Sequence, residues 1–503
     1  MNVAALGVVH VSTMKILRTL CASLTLGLLL LTAGWAQTDP AEKEIRTQIQ
    51  AAVAQYRAGK VDDAVTAFEA MQARAPENPD VLSWLGFLYL RKEQPTKAVP
   101  VLEKAAGLRP KDIEILNNLG NAYLGADKPD QALETYAKVT ALNPKAFEAW
   151  YNIGNILLKK AEAAKAVDAF KKAIEAKPDD AFSHNNLGAA YEANKQTDLA
   201  AASYAKAAQL RPDNRTFQRN AGFALVRQKQ EEKAIPYLER ALTSNKDSQL
   251  VLALAAAYTT VGRREAALRV LEDAQTDLAA NAVFWFNLGV VRAQAGQFDG
   301  AETAYRNALQ INADDVDTLH NLGLVLFKKR AYAKAAEVFD KLATLAPANT
   351  GAKINLAASL AMAGQLTRAA DIWKAILALD PKNLNLRLDL ANALWKLNDK
   401  EGAKAQFAAA LEQDKNSFRA LNGLGLFSLD ASDLKEAERL FRAAIALKKD
   451  YVPAHNNLAV TLERQNRVDE AIKVLEYALK IDPKNEEVQR NLQRMKASKS
   501  GAD

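Results

Sequence analysis

A single 34-residue unit is repeated thirteen times between Ile45 and Pro483. The eighth position of each repeat holds only glycine or alanine: Ala52, Gly86, Gly120, Gly154, Gly188, Gly222, Ala255, Gly289, Gly323, Ala357, Ala391, Gly425 and Ala459. The twentieth is always alanine, from Ala64 to Ala471, and every step is 34 residues except one of 33 between Gly222 and Ala255. A fixed period with small residues at two phases is typical of a stacked repeat array. The repeats use up the chain and leave no room for a separate catalytic domain.

Each repeat carries the pattern of two short amphipathic helices. In the fourth repeat, residues 147–180, both halves have apolar residues at helical spacing, and Pro178 closes the repeat because proline cannot continue a helix. Helices this short are marginal alone, so each must bury its apolar stripe against its partner and the next repeat. Small residues at positions eight and twenty are expected where two helices approach closely.

The repeat resembles the tetratricopeptide repeat over about 440 of the 503 residues. The third repeat carries the resemblance well, with Leu116, Leu119, Gly120, Tyr123, Ala132, Tyr136 and Pro144. The resemblance implies an all-α, right-handed superhelical solenoid of thirteen helix-turn-helix repeats. The first helix of each pair would line a concave groove, and the second would form the outer face.

The N-terminus has the pattern of an export signal. Residues 1–36 contain a basic start at Lys15 and Arg18, an apolar run from Leu20 to Thr32, and small residues before Gln37. Met14 is an alternative start. We therefore expect an exported chain, periplasmic or secreted, that begins at Gln37. The alternative is a retained membrane anchor, since residues 19–38 are uncharged and just long enough to span a bilayer.

The remaining boundaries follow from the repeat register. Residues 37–44 form a short N-terminal segment and residues 45–485 the thirteen repeats. Asn485 can cap a helix over residues 486–496, in which Val488, Leu492 and Met495 would cover the last pair. Residues 497–503 are expected to be a disordered tail.

Charge and cysteine content argue against several functions. Residues 37–503 hold 64 of the 66 Lys and Arg side chains against 59 Asp and Glu, without a basic cluster, so we expect no nucleic-acid partner. The only cysteine, Cys21, lies in the signal segment, which excludes disulfides and thiolate metal sites from the exported chain. We predict no metal site and no small-molecule cofactor.

We also expect the chain to have no enzymatic activity. His184, His320 and His455 are four repeats apart and cannot share a site, and two of them occupy position four, a packing position. Glycine-rich phosphate loops and nucleophile elbows are missing from the sequence.

A row of asparagines at position six is the first candidate site. Asparagine occupies this position in eight of thirteen repeats: Asn118, Asn152, Asn186, Asn220, Asn287, Asn321, Asn355 and Asn457. Amides can bond to the backbone of an extended peptide without selecting its sequence. The row resembles the asparagine ladder in the repeat region of eukaryotic O-linked N-acetylglucosamine transferase, whose catalytic half has no counterpart here. The alternative is that these amides tie neighbouring helices together.

Aromatic residues are the second candidate feature of the groove. Positions five, six, nine and twelve, which we expect to face the groove, hold Trp84, Phe87, Phe223, Phe286, Phe327 and Trp395. Exposed aromatic residues on a concave surface indicate a binding site. The alternative is burial of some of them against the next repeat.

The sequence therefore predicts a protein-protein interaction scaffold that binds a partner protein or an extended peptide in the groove, in an envelope or secretion assembly. Two other interpretations stay open: a module associated with glycan or exopolysaccharide export, and an arm that regulates a glycosyltransferase in trans. The sequence sets no oligomeric state.

Overall fold

The computed structural model describes residues 40–242 and 247–500. The predicted signal at residues 1–36 and the last three residues of the predicted tail lie outside these ranges. The chain divides into two compact units between Pro178 and Asp179. Among the described residues, no helix is both long and apolar enough to cross a membrane.

The described residues form 27 helices and contain no strand. The first helices of the successive pairs are α1 (Pro40–Arg57), α3 (Pro79–Arg91), α5 (Ile113–Gly125), α7 (Phe147–Lys159), α9 (Ala181–Ala193), α11 (Arg215–Arg227), α13 (Ser248–Thr260), α15 (Ala282–Gln294), α17 (Val316–Lys328), α19 (Thr350–Met362), α21 (Leu384–Lys396), α23 (Phe418–Asp430) and α25 (Val452–Arg464). The second helices are α2 (Val61–Arg74), α4 (Pro95–Leu108), α6 (Pro129–Leu142), α8 (Ala163–Ala176), α10 (Thr197–Leu210), α12 (Glu231–Ala241), α14 (Arg264–Asp273), α16 (Phe298–Ile311), α18 (Tyr332–Leu345), α20 (Leu366–Leu379), α22 (Lys400–Gln413), α24 (Leu434–Leu447) and α26 (Val468–Ile481). A last helix, α27 (Glu486–Ser500), follows the thirteenth pair. The predicted fold class, an all-α solenoid of helix-turn-helix repeats, is confirmed.

Local sequence fixes where these helices begin and end. Asn78 precedes α3, and its side-chain oxygen accepts hydrogen bonds from two backbone N–H groups of the first turn. At position fifteen the chain turns into the left-handed region, which releases it from the first helix; Gly59 has a φ of 79° there and Ala161 a φ of 61°. The same start and stop signals recur in most repeats.

The small residue at position eight lies beneath the side chain at position 24 of the same repeat. A Cβ atom added to Gly120 would lie 2.6 Å from Cε1 of Tyr136, and one added to Gly154 would lie 2.7 Å from Cε1 of Phe170. Tyr136 and Phe170 are fully buried. Glycine thus lets a large ring fill the space between the two helices of a pair, which gives the predicted steric role of position eight a specific partner.

Three contacts recur between successive repeats. The hydroxyl of Tyr123, at position eleven, donates a 2.6 Å hydrogen bond to Glu103 of the preceding repeat. Tyr89 donates in the same way to Glu69, and Tyr258 to Glu239. The ammonium group of Lys329 pairs with Asp299 at 2.6 Å, and Lys92 and Lys160 form the equivalent pairs. These ion pairs are largely exposed and contribute little each.

The third recurring contact explains the histidine at position four. Nε2–H of His455 donates to the backbone carbonyl of Lys449, six residues earlier, at 2.8 Å. Trp150 and Trp285 donate to the corresponding carbonyls through their indole N–H groups at 2.9 and 2.8 Å. Position four is therefore a donor position that holds the turn between repeats, and several residue types can fill it.

Repeats six and seven depart from the regular pattern. Their second helices α12 and α14 have 11 and 10 residues, against 14 in α16, and turns occupy residues 274–280. Pro236 in α12 is not the cause, because Pro100 stands at the same position of α4, which has its full 14 residues. The missing residue lies in repeat six, and the absent closing proline does not account for the shortening, because repeat eight has Ala313 there and α16 still has 14 residues.

Helix α27 covers the end of the thirteenth pair. Val488 and Met495 are buried, and Leu492 packs against the same cluster. Oδ1 of Asn485 accepts a hydrogen bond from the backbone N–H of Val488 at 3.2 Å. The helix extends to Ser500, four residues beyond the expected end at Lys496, so residues 497–500 are helical rather than part of a disordered tail.

Candidate partner-binding surface

The candidate site is the first-helix surface, defined as positions two, five, six, nine and twelve of the first helix of each pair. In the first compact unit α3 contacts α5 directly, and in the second α11, α13, α15 and α17 contact one another in sequence, as do α21, α23, α25 and α27. The first helices thus form continuous surfaces over α3–α5, α11–α17 and α21–α27, and position six lies on them.

The position-six asparagines differ in their hydrogen-bond partners within the protein. Nδ2 of Asn220 donates a 2.8 Å hydrogen bond to Oδ1 of Asn185, at position five of the preceding repeat. The same bond recurs from Asn457 to Asn422 at 3.0 Å and from Asn491 to Asn456 at 2.8 Å. Each bond spans 35 residues and joins two successive first helices, so these amides tie repeats together.

Asn152 and Asn186 are also engaged within the protein. Asn152 is 5% exposed, and its Nδ2 donates to the Tyr136 hydroxyl at 3.1 Å. The expectation that this amide faces solvent is wrong, because the Tyr136 hydroxyl draws it between two repeats. Burial raises the pKa of Tyr136, which keeps the phenol protonated. Asn186 accepts a hydrogen bond from Asn185 at 3.1 Å.

The other four asparagines are half-buried and have spare hydrogen-bonding capacity. Nδ2 of Asn287 donates to the Val283 carbonyl and Nδ2 of Asn321 to the Asp317 carbonyl, each at 2.8 Å within the same helix. Since the amide NH₂ group must face a carbonyl, Oδ1 is left as an acceptor at the surface. Within the described ranges, the side chains of Asn118 and Asn355 make no hydrogen bond.

The residue at position six does not by itself show which asparagines join two repeats and which bond within their own helix. The residue at position five of the preceding repeat also matters. Position six bonds to position five of the preceding repeat where that residue is Asn185, Asn422 or Asn456. Asn117 is an exception, because Asn152 donates to the Tyr136 hydroxyl instead. Where position five of the preceding repeat is apolar, as Leu252 is before Asn287, the amide turns to its own helix. The signal is therefore a pair of asparagines 35 apart in the sequence, and three of the four such pairs are hydrogen-bonded.

Two of the six aromatic residues do not form part of an exposed surface. Phe87 and Phe223 are buried, so the expectation of exposure is wrong for both. Phe87 packs against Tyr56 and Trp84, with ring centroids 5.5 and 5.7 Å apart. The guanidinium of Arg219 lies 5.2 Å from the ring centroid of Phe223. Neighbouring side chains have filled the space that an aromatic binding site would need.

The other four rings are half-buried, and each packs against a second ring. The ring centroids are 6.1 Å apart for Trp84 with Phe68, 6.1 Å for Phe286 with Tyr305, 5.1 Å for Phe327 with Tyr332, and 4.7 Å for Trp395 with Phe427. These rings connect the core to the first-helix surface and hold its shape.

Val283 and Met362, which the sequence pattern did not single out, are the most exposed large apolar residues of the first helices, followed by Phe182 at 41% and Leu324. Val283 is 58% exposed, Leu324 38% and Met362 55%. The first two occupy positions two and nine, and Met362 follows position twelve. Their signal in the sequence was an apolar residue at a solvent-facing phase of a first helix. Exposed apolar groups clustered on one face indicate an interaction site.

The fold and this surface define a helix-pair repeat protein. Models of the tetratricopeptide repeat match residues 49–113, 117–181, 169–202, 220–248, 320–383, 360–424 and 428–495, and a model described as the TPR repeat matches residues 289–329. The chain belongs to the tetratricopeptide repeat family. Proteins with these repeats typically act as non-catalytic scaffolds that bind other proteins or peptides, and the repeats here support a protein-interaction scaffold.

Several solved structures are similar to parts of the chain. MamA from Desulfovibrio magneticus RS-1 is 26% identical with a TM-score of 0.31, over 32% of this chain and 92% of that one. YrrB, described as a TPR protein with an unusual peptide-binding site, is 23% identical with a TM-score of 0.35, over 37% and 97%. The APC/C hetero-tetramer Cut9–Hcn1 is 13% identical with a TM-score of 0.36, over 90% of this chain and 96% of that one. No curated protein matches the chain.

Proposed function

We propose that this chain is a non-enzymatic, exported scaffold that binds an extended segment of a partner protein along its first-helix surface, in an envelope or secretion assembly. The observation that carries the proposal is the surface of α15 and α17. There, exposed apolar side chains lie beside asparagines whose Oδ1 atoms remain available as acceptors. An extended peptide supplies both complements, backbone N–H donors and apolar side chains.

The charge distribution supports a protein partner over nucleic acid. Basic side chains of neighbouring repeats pair with acidic ones, as Lys329 does with Asp299 and Arg419 with Asp389. Such pairing leaves little net positive charge for a phosphate backbone.

No observation favours the glycan interpretation. Sugars stack on a free ring face, but the neighbours of Trp395 crowd its ring. Phe427 meets it edge-on at 4.7 Å, and the Lys400 ammonium lies 5.9 Å from its centroid. Likewise, no feature of this surface supports the interpretation that the chain regulates a glycosyltransferase in trans.

Affinity capture with matched variants tests the function. The purified protein is incubated with envelope extract beside an Asn118→Ala, Asn287→Ala, Asn321→Ala and Asn355→Ala variant. The control replaces two amides on second helices, Gln131→Ala and Asn307→Ala. Each lost hydrogen bond is worth about 0.5–1.5 kcal/mol, so four should weaken capture strongly.

We expect wild type and control to retain a polypeptide that the quadruple variant loses, and limited proteolysis to leave one linear segment of it protected. Equal capture by all three proteins, or capture that requires a folded domain of the partner, would contradict the proposal.

N-terminal sequencing of the envelope protein tests export separately. A mature chain that begins at Gln37 supports a cleaved signal. Retention of Leu20 to Thr32 in a membrane-bound product supports the anchor instead.

A further inference from the structure

Three of the four first helices between residues 248 and 362 differ from the others in charge. At positions two, five, six, nine and twelve, α13, α15 and α19 carry no charged residue, and α17 carries only Asp317. In repeats two to six and eleven to thirteen each first helix has one charge at these positions: Asp80, Glu114, Glu148, Glu192, Arg219, Asp389, Arg419 and Glu463. We call the surface of α13, α15, α17 and α19 the low-charge tract.

The low-charge tract also holds the exposed aliphatic side chains. Val283 on α15 and Leu324 on α17 are exposed at positions two and nine, and the exposed Met362 borders the tract at position thirteen of α19, where α17 has the exposed Lys328. On either side of the tract the surface is charged, with Arg219 on α11 and Asp389 on α21. The exposed aliphatic residues of the first helices thus lie where charge is sparse, whereas Phe182, 41% exposed at position two of α9, lies outside the tract.

The base of the tract is held by the protein core. Phe286, Phe327 and Ile354 are half-buried and pack against the core cluster of the repeats around them. Their positions are fixed before any partner binds, so binding needs little side-chain ordering.

Asparagines at position six interrupt the apolar surface in three successive repeats, namely Asn287, Asn321 and Asn355. Asn287 and Asn321 each use Nδ2 within their own helix, so Oδ1 is the atom that a partner would meet. If a partner covers this oxygen without offering a donor, the unsatisfied acceptor opposes binding. A backbone N–H group of the partner can supply the missing hydrogen bond.

We propose that the low-charge tract binds a stretch of partner polypeptide that is extended, apolar and uncharged, with its backbone N–H groups bonded to Oδ1 of Asn287 and Asn321. The chemistry of the tract carries this choice. A charged partner residue would lose its water here without gaining an opposite charge, apart from Asp317. The inference rests on the proposed function and names the class of segment that binds.

Peptide selection with two matched variants tests the proposal. Random linear peptides displayed on phage are selected against the purified protein, and synthetic copies are titrated by fluorescence anisotropy. The tract variant is Val283→Glu, Leu324→Glu and Met362→Glu. The control, Ile311→Glu, Leu345→Glu and Leu379→Glu, changes exposed aliphatic residues on second helices of the same three repeats.

The selected peptides should be rich in aliphatic residues and poor in Asp, Glu, Lys and Arg. The tract variant should bind them at least about tenfold more weakly and the control within about twofold of wild type. A second variant, Asn287→Leu with Asn321→Leu, should also weaken binding. Melting curves of all variants show that each folds.

Charged peptides, or peptides that bind the tract variant as well as wild type, would overturn this inference and leave the proposed function standing. A second copy of the chain that occupies the tract and blocks peptide binding would also overturn it. Such self-association would appear as a molecular mass that rises with protein concentration. Selection of no peptide contradicts the inference, and the proposed function fails only if capture from envelope extract fails too.

Discussion

Nδ2 of Asn220 donates a 2.8 Å hydrogen bond to Oδ1 of Asn185, which belongs to the preceding repeat. Two repeats later, Asn287 occupies the same position but bonds to the Val283 carbonyl of its own helix. One residue type at one position therefore has two roles. Asn220 holds first helices together, and Asn287 keeps an acceptor at the surface.

The two roles predict that the same substitution destabilises the protein at one site and hardly at the other. Asn220→Ala leaves the buried Oδ1 of Asn185 without that donor, and we expect it to destabilise the protein by about 1–3 kcal/mol. Asn287→Ala affects a half-buried amide bonded within its own helix and should change stability by no more than about 0.5 kcal/mol. Thermal melting of both variants measures this. A similar loss in the two would contradict the division of roles.

The glycine at position eight predicts a steric penalty with a direct control. Gly120→Ala places a Cβ 2.6 Å from the buried Tyr136 ring and should destabilise by roughly 1–3 kcal/mol. Gly107→Ala, in helix α4, meets no atom within 4 Å and should stabilise by roughly 0.5–1 kcal/mol. Urea unfolding of the two variants checks the difference in sign. If Gly120→Ala is as stable as Gly107→Ala, the ring does not constrain position eight.

The tyrosine–glutamate contacts between repeats predict sensitivity to alkali. Burial, followed by the hydrogen bonds to Glu69, Glu103 and Glu239, raises the pKa of Tyr89, Tyr123 and Tyr258 to about 12. An unfolded tyrosine ionises near pH 10, so this contribution is complete below about pH 10 and is lost as the pH rises towards 12. The melting temperature should fall over that window.

The control for this effect is the triple variant Tyr89→Phe, Tyr123→Phe and Tyr258→Phe. It has no phenol to ionise at these sites, so its melting temperature should decline less steeply between pH 10 and 12. An equal decline in both proteins would show that other groups cause the loss.

The short helices of repeats six and seven predict a local weak point. Helix α14 ends at Asp273 and turns follow it, so fewer backbone hydrogen bonds hold this part than in repeat eight. Amide hydrogens of residues 236–242 and 247–280 should therefore exchange faster than those of α16 and α18. Hydrogen exchange read by mass spectrometry measures this, and uniform protection through repeats six to nine would remove the weak point.

The sequence predicts the fold well because each repeat is specified locally. The alanine at position twenty, the closing proline and the apolar spacing all describe contacts within one repeat or with the next. The partner of Gly120 could have been found in the same way, since Tyr136 recurs as a large residue at position 24.

The candidate site was harder to predict because it depends on pairs of repeats. Asn220 and Asn287 look alike within their own repeats, and the difference comes from Asn185 and Leu252 in the repeats before them. Phe87 and Phe223 stand at solvent-facing phases but are buried by Tyr56 and Arg219 respectively, which a helical pattern cannot show.

Site-specific photo-crosslinking in the producing cell shows whether a partner binds along the first-helix surface. A benzoylphenylalanine residue is placed at Leu324 on first helix α17 and, in a second strain, at Leu345 on second helix α18; both positions are exposed and belong to the same repeat. We expect a covalent adduct with a polypeptide at position 324 and none at position 345. An adduct at position 345 alone, or at neither position, would contradict binding along the first-helix surface.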